Sequence, residues 1–316
     1  MTFLNRRSFV QLAGAVCISN LNRYVSAQAQ PTAASSGFPP IRLGRVVYVR
    51  KQETADAVVR GVADLGFQTC QIGLADLTVD VARTVKNALA KYGVEATALI
   101  ELGPGRMVWN FYDGPQTIGI IPPDTRNARI KALKQAADIA LECGIPAVLT
   151  HCGFIPENPN DPLYPQAVKA VSEIASYCKE RGRMFLCEAG QETPTTLLRM
   201  IQDVGLDNVF VNLDLANLIL YGKGNPVDAM AVLADRVRGI HAKDGLFPTD
   251  TKNLGKEVPI GEGSVDFPLV LEQLKQANYK GALTIEREIQ GEQQRNDIMR
   301  SKTFLEILIA KTYGQE

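Results

Sequence analysis

From Ile41 onward, short runs of β-branched and aliphatic residues alternate with longer stretches that place apolar residues at three- and four-residue intervals. A strand period alternating with a helical period predicts βα units around a parallel sheet. Eight strands are expected, at Leu43–Val49, Thr69–Gly73, Ala96–Glu101, Ala147–His151, Met184–Glu188, Val209–Asp214, Gly239–Lys243 and Leu283–Glu286. Each is brief and apolar, as a strand covered on both faces should be. Between them, stretches such as Ala128–Cys143, Pro165–Glu180 and Val265–Ala277 have the amphipathic period of outer helices. Eight such units point to an α/β fold closed into a (β/α)8 TIM barrel, with a doubly wound open sheet as the alternative. No Gly-x-Gly-x-x-Gly follows the first strand to favour the open sheet.

Two connections are longer than the usual few residues, Gly103–Pro123 and Asp244–Ser264. Both follow strands and so belong to the C-terminal face, where barrel enzymes build their sites, which makes them candidate lids or substrate walls. Ahead of the barrel, Asn5-Arg6-Arg7-Ser8-Phe9-Val10 precedes a mildly apolar stretch and the small-residue site Ala27-Gln28-Ala29. This order resembles a twin-arginine export signal over residues 1–29, with a Pro-, Ala-, Ser- and Gly-rich linker over 30–40 and a single catalytic barrel over 41–316. A periplasmic location is therefore expected. No other stretch is long and apolar enough to span a membrane.

Lys plus Arg and Asp plus Glu are equal at 34 each, so no global field draws nucleic acid or an anionic membrane. Cys17 would leave with the signal, and Cys70, Cys143, Cys152, Cys178 and Cys187 remain; an odd number without a Cys-x-x-Cys pair reads as buried core thiols.

Four metal-competent side chains fall where successive strands end: Glu188, Asp214, His241 and Glu286, separated by 26, 27 and 45 residues. The first two spacings are about one βα unit, and the third is a unit lengthened by the seventh loop. The residues therefore return to one end of neighbouring strands and converge. Three carboxylates and an imidazole suit one divalent ion, manganese, cobalt or magnesium first and zinc also, with positions left for substrate oxygens. His151, the other of only two histidines, closes the fourth strand, and Lys243 shares an inward face with His241. Either could act catalytically, His151 as a base and Lys243 on an oxyanion, or serve only as a structural hydrogen bond or ion pair. Asn217, Gln191 and Glu101 are candidate substrate contacts, and for Glu192 loop solvation is as good an explanation as substrate contact. The Gly261-Glu262-Gly263 turn is expected to serve backbone geometry.

The motifs Glu188-Ala189-Gly190-Gln191-Glu192, Asn212-Leu213-Asp214, His241-Ala242-Lys243-Asp244, Val258-Pro259-Ile260-Gly261-Glu262-Gly263 and Thr284-Ile285-Glu286 resemble the sugar phosphate isomerase/epimerase superfamily, the xylose isomerase-like barrels, over about Ile41 to Ile289. The resemblance implies a Mn-, Co- or Mg-type ion on Glu188, Asp214, His241 and Glu286, proton removal next to a carbonyl, and glutamates (Glu188 and Glu286 here) that handle protons. Asn217 departs from it, since many relatives carry a His three residues after the aspartate. An exported enzyme would seldom meet phosphorylated sugars, so the expected partner is an unphosphorylated sugar or glycoside, with a homo-oligomer left open. The expected activity is a metal-dependent sugar isomerase or epimerase. The alternatives are a 3-keto-glycoside lyase, eliminating across C1 and C2, and a non-catalytic metal-containing sugar-binding protein. A barrel nuclease would need more histidines than two.

Overall fold

The computed structural model describes residues 41–314; the expected signal and linker lie outside the described residues. In chain order the strands are β1 Arg42–Val49, β2 Thr69–Leu74, β3 Glu95–Ile100, β4 Ala147–His151, β5 Met184–Glu188, β6 Val209–Asp214, β7 Val237–Ala242, β8 Asp244–Gly245, β9 Glu257–Val258 and β10 Ala282–Ile285. All but β8 and β9 form a closed parallel barrel in the order β1-β10-β7-β6-β5-β4-β3-β2. The expected TIM barrel is therefore present, and β4, β5 and β6 have the expected bounds. Glu101, Lys243 and Glu286 fall just past the ends of their strands, yet Glu286 still donates its N–H to Ala242 O at 3.0 Å, so the inward period carries through to it.

The helices are α1 Ala55–Asp64, α2 Val79–Tyr92, α3 Gly114–Thr117, α4 Pro123–Cys143, α5 Tyr164–Glu180, α6 Pro194–Val204, α7 Asn217–Leu220, α8 Pro226–Leu233, α9 Phe267–Gln276 and α10 Glu292–Tyr313. Proline occupies the first turn of α4, α5, α6, α8 and α9, where its missing N–H costs nothing and its fixed φ suits the helix. Strand period two splits the apolar residues between two cores. Outward side chains such as Cys187, Val211, Leu213, Ile240 and Ile285 pack with the helices in the larger one. Ala98, Ile100, Ala147, Leu149 and Leu186 fill the barrel interior. The five described cysteines are buried and free, as expected of core thiols. Among the described residues no helix is long and apolar enough to cross a membrane.

Both long connections are pinned. Arg129 of α4 is fully buried without a carboxylate partner, and it donates to the carbonyl oxygens of Pro104 (3.1 Å), Gly119 (2.6 Å) and Arg106 (3.2 Å). The connection after β3 is thereby fastened as a wall. The seventh connection contains the antiparallel β8–β9 pair, which the sequence pattern did not reveal. It closes around the Asp244 carboxylate, which accepts N–H groups from Gly245, Gly261 and Gly263 at 2.9 Å and Val265 at 3.1 Å. Gly261 sits at φ +89, and a Cβ on Gly263 would stand 2.0 Å from Asp244 Oδ1, so the glycines serve both a turn and a close approach. Phe111 N donates to Lys252 O at 2.9 Å and ties the two connections together.

Asp244→Ala should cost about 3 kcal/mol or more, because the buried N–H groups of Gly245 and Val265 and the part-buried ones of Gly261 and Gly263 then lack an anionic acceptor. Urea unfolding measures it, and a loss within experimental error of zero would show that the loop does not depend on this carboxylate.

Candidate metal centre

Glu188, Asp214, His241 and Glu286 are buried together, and one ligand atom from each lies within 4.8 Å of all the others. His241 Nδ1 stands at the middle of the group, 2.8 Å from Glu188 Oε1, 3.3 Å from Glu286 Oε2 and 3.7 Å from Asp214 Oδ2. Asp214 divides its two oxygens: Oδ1 accepts the N–H groups of Ala216 and Asn217, both at 2.8 Å, and buried Oδ2 has no hydrogen-bond partner. A buried carboxylate oxygen left free beside an imidazole nitrogen and two more carboxylates fits a divalent cation, which would satisfy that oxygen.

The imidazole is aimed from behind. His241 Nε2 lies 2.6 Å from Gln71 Oε1, and Gln71 Nε2 donates to Asn212 Oδ1 at 2.9 Å. An amide oxygen can only accept, so Nε2 carries a hydrogen, and Nδ1, 2.8 Å from Glu188 Oε1, is the nitrogen that a metal would take in place of its proton. The register slips where this chain of bonds crosses the sheet, between Cys70 and Gln71 against β3 and between Val211 and Asn212 against β7. The second slip brings Gly239 opposite Asn212, where a Cβ would fall 2.2 Å from Asn212 Oδ1. Gln71 and Asn212 were missed by the sequence reading; a glutamine inside the apolar strand Thr69–Leu74 was the available signal.

His151 faces the tetrad from β4, its Nε2 3.4 Å from Glu188 Oε2, while Gln191 contacts its Nδ1. The ring of Trp109, from the wall after β3, meets His151 edge-on with centroids 5.1 Å apart. Together with Tyr48, Ile100, Leu102, Glu188, His241, Glu286 and Glu288, these two rings line a cavity of about 320 Å³. Lys243 lies behind this cavity. Its ammonium donates to Asn217 Oδ1 (3.3 Å) and Glu286 Oε2 (3.2 Å) and pairs with Glu288 Oε1 at 2.9 Å. Asn217 also donates to Glu188 Oε1 at 3.5 Å.

The structure thus brings Glu188, Asp214, His241, Glu286, His151 and Lys243 together. Lys243 has its donors engaged by Asn217 and acidic side chains. Asn217 and Gln191 orient Lys243 and His151 and do not line the cavity. Glu101 accepts Gly103 N at 2.6 Å and borders a separate depression, joined to the metal cavity at Tyr48, Ile100 and Leu102. Glu192 is buried and not solvated, with no side-chain donor on its carboxyl. Burial and the charge of Glu157 push it up to about 8.

Charge explains the rest of the arrangement. Burial pushes Glu188 and Glu286 up, but His151 and His241 bring Glu188 below the usual range, and Lys243 with His241 brings Glu286 well below it. For Asp214 burial prevails over Lys243 and holds it above its ordinary value. Burial would strip the proton from His241, yet Glu188 and Glu286 draw it well above normal. The site therefore demands positive charge at the point where four ligand atoms meet.

A closed parallel barrel with a Glu, Asp, His and Glu set at its C-terminal strand ends defines a TIM barrel built around a metal site. Residues 59–306 match the family described as xylose isomerase-like TIM barrel, and the chain belongs to it. An uncharacterised protein of Methanocaldococcus jannaschii, MJ1311, is 27% identical over 205 residues, 60% of this chain and 67% of the relative. The crystal structure of a xylose isomerase domain protein from Planctomyces limnophilus has 31% identity and a TM-score of 0.82, covering 87% of this chain and 100% of that one. L-ribulose 3-epimerase shares the fold at 18% identity and a TM-score of 0.68, over 87% and 96% of the two chains.

Gln71→Leu should weaken metal binding about 10–100-fold, because the imidazole loses the acceptor that orients it. Chelator competition measures the loss, and unchanged affinity would sink the orienting role. Glu192 gives a pH dependence of stability. Between its ordinary 4.5 and about 8 the folded chain keeps a proton that the unfolded chain has released, so stability falls as pH rises through that window. Glu192→Gln removes this loss; its melting temperature should overtake the parent's by a margin that widens up to pH 8, whereas parallel curves would contradict it.

Proposed function

We propose that the chain is a divalent-metal-dependent isomerase or epimerase of an unphosphorylated sugar, acting by proton removal beside a carbonyl. The lining of the 320 Å³ cavity carries the reading: it has three glutamates and no lysine or arginine, with Trp109, Tyr48, Ile100 and Leu102 on its apolar side. A phosphate dianion would meet three carboxylates there with no lysine or arginine on the lining to hold it. A polyol instead offers hydroxyl donors to the carboxylates and C–H faces to the rings. Epimerase chemistry is supported by the named activity of L-ribulose 3-epimerase, which shares the fold. Export to the periplasm, read from Arg6-Arg7 and Ala27-Gln28-Ala29, is part of the proposal and agrees with a free sugar.

When bound by Glu188, Asp214, His241 and Glu286, a manganese, cobalt, magnesium or zinc ion supplies polarisation of the substrate oxygens. Glu188 and Glu286 both line the cavity, and each is favoured as a carboxylate by neighbouring cations. One removes the proton beside the carbonyl and the other returns it, which inverts the carbon when they act from opposite faces. His151, steadied by Gln191, holds its Nε2 3.4 Å from Glu188 Oε2, beside the carboxylate that takes the proton. Lys243 keeps Glu286 ionised from behind.

Incubation of the metal-loaded protein with free ketoses and aldoses in D2O should place deuterium on the carbon next to the carbonyl. Glu188→Gln and Glu286→Gln should each slow this by about 10²–10⁴-fold. Exchange confined to sugar phosphates would overturn the substrate class. Release of an aglycone with a 2-hydroxyglycal from a 3-keto-glucoside would replace epimerisation by elimination, and sugar binding without turnover would reduce the protein to a binding module.

A further inference from the structure

Tyr48, Glu286 and Glu288 line the metal cavity and also one side of a larger cavity, of about 640 Å³, between β1, α1 and the segment that leads from β10 into α10. Arg45, Arg50, Arg287, Gln290 and Gln294 lie along its walls. Arg287 is committed to Glu257 at 3.0 Å and Asp297 at 2.9 Å. Arg45 and Arg50 have no ion pair among the described residues, and Arg45 Nε is buried without a hydrogen-bond partner. Arg295 adds a like charge to the surroundings of Arg45. The nearby carboxylates are already engaged, since Lys243 takes Glu286 at 3.2 Å and Glu288 at 2.9 Å. A largely buried guanidinium is stable when an anion meets it, and among the described residues no carboxylate pairs with Arg45.

We propose that this second cavity is an anion subsite that takes the carboxylate of an extended substrate whose other end lies at the metal tetrad, so that the substrate class is an acidic glycoside or a disaccharide acid. A planar carboxylate matches the guanidinium fork. Its single charge also suffers half the repulsion of a phosphate dianion from Glu286 and Glu288 at the junction. The inference rests on the proposed sugar chemistry only for the end held at the metal; anion binding itself stands on the arginines.

Calorimetric titration of the metal-loaded full chain with cellobionate, its neutral counterpart cellobiose, and inorganic phosphate tests it. Cellobionate should bind at least ten-fold tighter than cellobiose, and the advantage should shrink with added salt and disappear in Arg50→Gln and in Arg45→Met. Arg50 is exposed, so Arg50→Gln keeps the test valid even where Arg45→Met fails to fold. Equal affinity for the two sugars, or an advantage that survives both substitutions, overturns the subsite. Tighter binding of phosphate than of cellobionate overturns the carboxylate assignment. An arginine-dependent advantage in a protein that exchanges no deuterium into any sugar leaves the subsite standing and removes the proposed reaction; exchange without the advantage does the reverse.

Discussion

Three carboxylates held within 4.8 Å of one another, out of water, set the terms for the upper half of this barrel. Such a group survives only when positive charge and hydrogen-bond donors are brought to it, and the chain does so from several directions. Lys243 neutralises from behind, His241 from within, and the Ala216 and Asn217 amides take one oxygen of Asp214. These supports are built into the backbone. The β6–β7 slip opens the space at Gly239 for Asn212, Asn212 holds Gln71, and Gln71 points His241 at the carboxylates. A change at Gly239 would reach His241 through two hydrogen-bonded residues, Asn212 and Gln71, without touching the tetrad itself.

Much of the fold was legible because a barrel strand covered on both sides must be short and apolar, and β4, β5 and β6 leave no ambiguity about their limits. The four ligands were legible for a related reason: an acidic or imidazole side chain ending an apolar run has no place in the surrounding core and must face the mouth. The supporting residues were not, because their roles depend on contacts between distant strands. Gln71 and His241 stand 170 positions apart, and nothing local marks them as partners. The contacts of Asn217 with Lys243 and of Gln191 with His151 were hidden for the same reason, since one-dimensional spacing brings a residue to the mouth without showing which side chains it meets.

The walls differ in kind from the floor. Arg129 and Asp244 fasten their loops by charge meeting backbone, a fully buried cation on three carbonyl oxygens in one and a buried anion on four N–H groups in the other. Neither depends on a pattern of apolar residues, which is why both segments read as featureless connections. Fixing them holds Trp109 against His151 and leaves the cavity shape to side chains whose backbones are already tied down.

Trp109 is the chain's one tryptophan, and its ring meets the edge of the His151 imidazole at the mouth of the barrel. The protein's entire indole emission therefore originates at the site itself. A proton on that imidazole, or a molecule settling against the ring, changes the emission with no second indole to dilute it, so the barrel carries its own optical label at the place where its chemistry would occur.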